Sequence, residues 1–288
     1  MGDILLADAG SSKTDWALIK SCSGSIYRFE TEGINPAVIS SEQIGETLKT
    51  LISKLPQNIN ISQVLFYGAG CHNNLSLNLF NQLNKTFPES NITVDSDILA
   101  AGEALFGDQS GIACILGTGS NACIYNQGQI IDKVPSLGYI LGDEGSGADL
   151  GKVLLNHIFK RKLKSSLTEN FFLEYNLDEK TLIEKVYKND RPSAFLASFT
   201  PFILKNINDV QIHKIVTNEF INFFKNNVLP LDPANKLEVG IVGSIGWFFR
   251  DILNDSAKSL GIHISKIIKS PIDELVRRYA SIKVSIEA

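Results

Sequence analysis

The sequence predicts an α/β protein made of two related domains, and three paired observations carry that prediction. Apolar runs at residues 4–8 and 15–19 flank "AGSSKT", and runs at 112–116 and 122–125 flank "GTGSN", so each pair reads as a β-hairpin with a small-residue turn. "QVLFYGAGCHNNLSLNLFNQL" and "LEVGIVGSIGWFFRDIL" are each a strand, a glycine turn and an amphipathic helix. "NITVDSDILAAGEALFG" and "IHISKIIKSPIDELVRRYA" are each a short β-branched strand, a brief turn and a helix. The same succession of three units, met twice in order, marks a duplication.

The second copy differs from the first by extra helical sequence at about 144–230. There "ADLGKVLLNHIFKRKL" and "VQIHKIVTNEFINFFKNNVL" repeat apolar residues every three or four positions, the spacing of helices that pack one face on a core. The pattern breaks at "FGDQSG", which places a boundary near Gly107 to Gly111. In duplicated α/β folds, ligands sit where strand C-termini and helix N-termini of the halves face each other, so an interdomain cleft is expected.

Composition narrows the class. A chain of 288 residues, 44% hydrophobic and with a formal charge of −4, has enough apolar residues for two ordinary cores. Lys and Arg are dispersed among acids, which reads as a solvated surface and not as a nucleic-acid site. No apolar run reaches the roughly 20 residues that span a bilayer, and the N-terminus enters a strand pattern without a basic region or cleavage site; no membrane partner and a cytoplasmic location are expected. The cysteines at 22, 71, 114 and 123 form no CxxC pair, and His72, His157, His213 and His263 share no helical i, i+4 spacing, so local zinc or iron–sulfur ligation is not indicated.

Several stretches can carry chemistry. "ADAGSSKTD" fails the GxxxxGK[ST] pattern, since no Gly stands five residues before Ser12. Its turn can still present Gly10, Ser11 and Ser12 to a phosphate, with Asp8 holding Mg²⁺ through water; an ordinary polar turn is the other reading. "GTGSN", Gly117 to Asn121, has the same equipment in Gly117, Thr118, Gly119 and Ser120, and the recurrence favours a phosphate grip made by both turns. Gly243 and Ser244 open a helix after a buried strand, fit either to receive a nucleotide or to pack tightly. Asp97 stands between strand and helix, where it can cap the helix or orient and deprotonate a hydroxyl, with Asp95 as the fallback base. "LGYILGDEGSGADLGKVLL" exposes Asp143 and Glu144 among glycines, and such acceptors suit sugar hydroxyls; a calcium loop lacks its D-x-[DN]-x-[DN]-G signature. Asn35 before Pro36 is common turn chemistry.

Taken together, "DAGSSKTDW", "INP", "SDILAAGEAL", "GTGSN", "GYILGDEGSGADLG" and "VGSIG" resemble, in order and spacing, the N-acetylglucosamine kinase-like proteins of the BadF/BadG/BcrA/BcrD ATPase family, within the sugar kinase, heat-shock-70 and actin superfamily. The resemblance covers nearly the whole chain. It implies two ribonuclease H-like (actin-like ATPase) domains: residues 1–108 plus about 270–288, carrying substrate and catalytic Asp, and 109–269, carrying ATP and the sugar loop. It implies ATP and Mg²⁺ as cofactors, with Asp8, Gly10, Ser11, Ser12, Lys13 and Thr14 as the first phosphate motif and Gly117 to Ser120 as the second. Gly243 and Ser244 resemble the adenosine motif, and Asp97 the base that takes the proton of the sugar 6-hydroxyl. Asn35, Asn121 and Asp143 match positions that contact the sugar and its N-acetyl group, with Glu144 and Gly145 beside them.

The implied partner is a small-molecule amino sugar, and a homodimer is compatible with the resemblance. Many relatives read Gly-Gly-Gly-Thr where this chain has Ser11 and Ser12, and human-type relatives carry Trp at Tyr139, so glucosamine and N-acetylmuramic acid stand as alternative sugars. Two rivals share the fold: an electron-transfer ATPase activator, which holds a cysteine-ligated cluster, and an actin- or chaperone-like switch protein.

Overall fold

The structure, a computed structural model, describes residues 2–10, 13–71 and 75–286. Ser11, Ser12 and His72 lie outside the described residues. The chain divides into two compact units, Met1–Gln109 with Asn126–Gln129 and Ser270–Ala288, and Ser110–Tyr125 with Ile130–Lys269.

The chain begins with β1 (Asp3–Ala9), β2 (Lys13–Ile19) and β3 (Ile26–Glu32), followed by α1 (Ser41–Lys54), β4 (Ile61–Gly68), α2 (Leu75–Thr86), β5 (Asn91–Ser96) and α3 (Asp97–Phe106). These strands form one sheet in the order β3-β2-β1-β4-β5, antiparallel through β1 to β3 and parallel through β1, β4 and β5. Ile4, Leu5, Leu6 and Ala7 are all buried, the uninterrupted apolar run of a strand covered on both faces. β3 and α1 have no counterpart in the repeat read from the sequence. β3 lies at the sheet edge with Thr31 its one buried residue, so no apolar run announces it. α1 is started by a capping box: Ser40 Oγ accepts the Gln43 N–H at 3.3 Å and Gln43 Oε1 accepts the Ser40 N–H at 2.8 Å. Its buried Ile44, Thr47, Leu48 and Leu51 lie on one face. Trp16, fully buried, meets Phe66 edge-on with centroids 5.7 Å apart and donates from Nε1 to Thr31 Oγ1 at 2.9 Å.

Next come β6 (Ser110–Leu116), β7 (Ser120–Asn126) and β8 (Gln129–Lys133). A run of helices follows: α4 (Gly138–Leu141), α5 (Gly147–Phe159), α6 (Ser165–Tyr175), α7 (Glu179–Tyr187), α8 (Pro192–Ala197), α9 (Thr200–Lys205) and α10 (Val210–Phe223), which ends in a π turn, Phe224–Val228. β9 (Val239–Val242), α11 (Ser244–Phe248), α12 (Arg250–Ser259) and β10 (Ile264–Ile268) close the second sheet, ordered β10-β9-β6-β7-β8. Read from its edge antiparallel strand, this order repeats that of the first sheet, so the duplication extends to topology. The helical run shares one core with the second sheet, and within it Phe171 packs on Tyr175, Phe199 and Phe202 with ring centroids 4.9, 5.5 and 5.3 Å away. The last helix, α13 (Ile272–Ile286), packs on α3, β1 and β2 of the first unit. No described helix is long and apolar enough to cross a membrane.

Candidate active site

In the first unit the strand register builds a row of carboxylates. Asp8 on β1 lies opposite Asp15 on β2 and Tyr67 on β4, Asp15 lies opposite Glu30 on β3, and Tyr67 lies opposite Asp95 on β5. Directly opposed residues share a face, so one face of the sheet carries four carboxylates at its β1–β5 end. Lys13, two residues before Asp15, reaches Asp15 Oδ1 at 3.0 Å and Glu30 Oε2 at 3.1 Å. Lys13, expected at a phosphate, here places its ammonium between the two carboxylates at the β2 and β3 end of the row.

Asp8 feels the Lys13 ammonium only as a weaker, opposing influence. Its Oδ2 accepts from Ser270 Oγ at 3.2 Å. Burial, and then the carboxylates of Asp15 and Asp97, push its pKa up to about 7 against that hydrogen bond. A carboxylate in that state invites a cation. Hard oxygen donors and a single acid suit Mg²⁺, which keeps most of its waters and takes further ligands from phosphates; among the described residues no group of three or more His, Cys, Asp or Glu is arranged to hold a metal by itself.

Asp97 is the first residue of α3, and Ser96 is the cap, its Oγ accepting the Leu99 N–H at 3.4 Å. Capping therefore does not explain Asp97, whose Oδ1 accepts the adjacent Ile98 N–H at 2.8 Å. Nearby, burial and then the carboxylates of Asp97 and Asp95 push the Cys71 thiol up to about 12, which keeps it protonated and unreactive. Burial raises the pKa of Asp95 as well.

Asn35 Oδ1 accepts the Ala37 N–H at 3.0 Å, the turn chemistry expected before proline. The loop is fixed from two sides. Thr14, fully buried, accepts the Ile34 N–H on Oγ1 at 3.1 Å. A Cβ on Gly70 would stand 2.3 Å from Asn35 Oδ1, so the turn after β4 lies directly on the amide. Thr14, expected at a phosphate, here uses its buried hydroxyl oxygen to hold the backbone one residue before Asn35. The Gly10 N–H is likewise spent, on the Lys13 carbonyl at 2.9 Å.

In the second unit the Gly117–Ser120 turn docks on the start of α5. Gly117 and Thr118 carbonyls accept the Gly147 and Ala148 N–H groups at 2.8 and 3.0 Å. Ser120 donates its N–H to Asp143 Oδ1 at 3.1 Å, and a Cβ on Gly119 would lie 3.1 Å from the same carboxylate. Asp143, expected at the sugar, thus rests against the Gly117–Ser120 turn. Burial first, and the Glu144 and Asp149 carboxylates after it, raise its pKa in spite of the Ser120 hydrogen bond. Ser120 Oγ is buried without a hydrogen-bond partner among the described residues. An unsatisfied buried hydroxyl costs roughly 1–3 kcal/mol, so a ligand oxygen arriving there recovers that loss. Asn121 Oδ1 accepts the Ala122 N–H at 3.0 Å.

Two residues expected at the sugar are engaged by protein instead. Glu144 accepts from Asn226 and Asn227, each at 3.2 Å, and Gly145 donates its N–H to Asp149 Oδ2 at 3.0 Å. Neither asparagine, nor Asp149, nor Ser270 stands out in the sequence, because each is recognisable only through its partner.

Gly243 has a φ of 130°, and a Cβ there would meet the Leu116 carbonyl oxygen at 2.2 Å. The glycine is therefore required by the approach of β9 to β6, ahead of any role at a nucleotide. Gly243→Ala is expected to destabilise the protein by about 3 kcal/mol or more, from combined backbone strain and overpacking, which thermal unfolding measures; an unchanged midpoint would show that the turn can relax.

The repeated mixed sheets, each with a glycine-bearing hairpin turn at its centre, define a two-domain α/β protein of the sugar kinase and actin-like ATPase class. No family model and no curated protein sequence matches the chain. Solved structures do. A Porphyromonas gingivalis protein described as a candidate N-acetylglucosamine kinase is 37% identical, with a TM-score of 0.91 over 96% of this chain and 99% of its own. A Chromobacterium violaceum protein described in the same way is 18% identical, with a TM-score of 0.76 over 96% and 99%. The ROK family glucokinase of Streptomyces griseus, solved with glucose and AMPPNP, shares the fold at 13% identity and a TM-score of 0.61, over 98% and 99%. The chain belongs to the N-acetylglucosamine kinase-like family.

Proposed function

We propose that the protein transfers the γ-phosphoryl group of ATP to a hydroxyl of an amino sugar, with N-acetylglucosamine giving N-acetylglucosamine 6-phosphate and ADP. Glucosamine and N-acetylmuramic acid are the alternative acceptors. The observation that carries the reading is Asp97: Ser96 has taken over the capping of α3, and the Asp97 carboxylate lies near enough to Asp8 to raise its pKa. Kinship to a protein described as a candidate N-acetylglucosamine kinase supports the choice of sugar.

In this reading the first unit supplies base and cation ligand, and the second supplies phosphate donors and the sugar loop. Asp97 orients the sugar hydroxyl and accepts its proton as the O–P bond forms, while the bond from the γ-phosphorus to the bridging oxygen breaks and ADP leaves. Asp8 would hold Mg²⁺ through water, and the cation would supply charge neutralisation to the phosphates. The Ser120 hydroxyl and the backbone N–H groups of Thr118 and Gly119 donate to the phosphates, the Gly117 N–H being taken by the Gly119 carbonyl. Asn35, Asn121 and Asp143 hold the sugar, and Gly243 and Ser244 border the adenosine. Ser11 and Ser12 complete the first phosphate motif. Positioning is the main work, because the transition state of phosphoryl transfer is loose.

A coupled ADP-release assay over a panel of amino sugars tests the proposal. Sugar-dependent ADP release, greatest with N-acetylglucosamine, is expected. ADP release that no sugar stimulates would replace the kinase reading with that of an ATPase switch.

A further inference from the structure

The helical run contains one irregular turn, at the end of α10. The π turn Phe224–Val228 is closed by the Leu229 N–H on the Phe224 carbonyl at 2.9 Å. Such single-turn insertions are rare and concentrate at functional sites. Widening the turn reduces the angle between neighbouring side chains, which on a regular helix diverge by about 100°. Here two neighbours address one group: Asn226 Nδ2 donates to Glu144 Oε1 and Asn227 Nδ2 to Glu144 Oε2, both at 3.2 Å. Asn227 is 8% exposed and also donates to the Phe223 carbonyl at 3.3 Å, so its amide is fully committed inside the protein.

The residues on either side of Glu144 are held as firmly. Asp143, with a φ of 58°, takes the Ser120 N–H. Gly145 gives its N–H to Asp149 Oδ2, and Asp149 Oδ1 takes Lys152 Nζ at 2.9 Å. Three acids therefore lie close together along this loop, and Glu144 and Asp149 both disfavour ionised Asp143. Amides suit the task of holding Glu144. They satisfy both carboxylate oxygens without bringing a cation that would compete for Asp143 or for a phosphate at the Gly117–Ser120 turn.

We infer that the π turn is a clamp, in which Asn226 and Asn227 are positioning residues that act through Glu144 to keep Asp143 in register with the Gly117–Ser120 turn. The catalytic consequence rests on the kinase reading; the structural one does not. Both can be measured separately.

Hydrogen exchange on Asn226→Ala/Asn227→Ala, with wild type beside it, reads the clamp directly. The amides of Ser120 and Gly145 are expected to exchange about tenfold faster or more, the local opening expected from losing two hydrogen bonds to a charged group, while those of β6 and β9 keep their protection. Glu144→Ala is expected to reproduce the effect. The single variant Asn226→Ala, at an exposed position, is expected to give part of it without loss of folding. In the ADP-release assay the double variant is expected to raise KM for the sugar about tenfold with kcat little changed, the pattern of lost positioning, whereas a merely destabilised fold lowers active enzyme and leaves KM alone. Unchanged exchange at Ser120 and Gly145 overturns the clamp, whatever the kinetics. A wild type that no sugar stimulates overturns the kinase reading, and exchange then still decides the clamp.

Discussion

Asp97→Asn is expected to lower kcat by about a thousandfold, within the range that removal of a general base produces, while ATP affinity holds within a factor of about three. The substitution is conservative everywhere except in basicity. An amide oxygen can still accept the Ile98 N–H, as Asp97 Oδ1 does at 2.8 Å, and Ser96 still caps α3. Relief of repulsion on Asp8 gives no reason for the fold to weaken. What is lost is the group that, in the proposed reaction, receives the proton of the acceptor hydroxyl. Single-turnover ADP formation, with nucleotide binding measured by calorimetry on the same preparation, separates chemistry from binding. Retention of turnover within about tenfold would remove Asp97 as the base, since orientation without proton acceptance would then suffice. A matching loss in Asp95→Asn would move the role to Asp95, which lies two residues earlier on β5 and whose carboxyl burial also raises.

The sequence makes the central strands legible because burial on both faces leaves an unmistakable apolar run, as in β1 and β6. It makes Asp8 legible because it stands at the end of such a run, and Asp97 because it stands where a strand pattern changes to a helical one, although β5 itself is an edge strand without a buried residue. β3 is hidden for the opposite reason, since an edge strand with one buried residue needs no apolar pattern. α1 does carry a readable signal, Ser40 with Gln43 three residues on, which the search for repeats passes over. At the site, motif letters give residue types but no partners. Lys13 and Thr14 read as phosphate ligands, and only the structure adds that Lys13 lies beside Glu30 and that Thr14 accepts the Ile34 N–H. Glu144 looks like a sugar acceptor until residues 82 and 83 positions away grip both its oxygens. Nothing in "FKNNV" distinguishes a π turn from a further turn of α-helix, because only tertiary demand selects it.

Asp8→Asn is expected to stabilise the protein at pH 8 and to disable it. The carboxyl titrates near 3.8 when unfolded and near 7 in the fold, so the native state binds this proton more tightly. The stability that follows is fully present below pH 3.8, declines between pH 4 and 7, and is gone once pH exceeds the folded value. At pH 8 the wild type therefore carries a half-buried charge facing Asp15 and Asp97, offset in part by the Ser270 hydroxyl and the Lys13 ammonium. Replacing it by a neutral amide is expected to gain about 1–3 kcal/mol at pH 8, a value reduced for partial exposure, and little at pH 4. Thermal unfolding of both proteins across this range shows the difference as a midpoint gap that opens with pH. Mg²⁺ with ADP is expected to raise the wild-type midpoint at pH 8 far more than that of Asp8→Asn, because the cation offsets the same repulsion that the amide has already removed. Turnover of Asp8→Asn is expected to fall by about a hundredfold or more, since in the proposed reading the charge that destabilises the fold is the one that would hold the cation. A variant less stable than wild type at pH 8, or one protected equally by Mg²⁺ and ADP, would mean that the Asp8 carboxylate serves the fold and that the cation is held elsewhere.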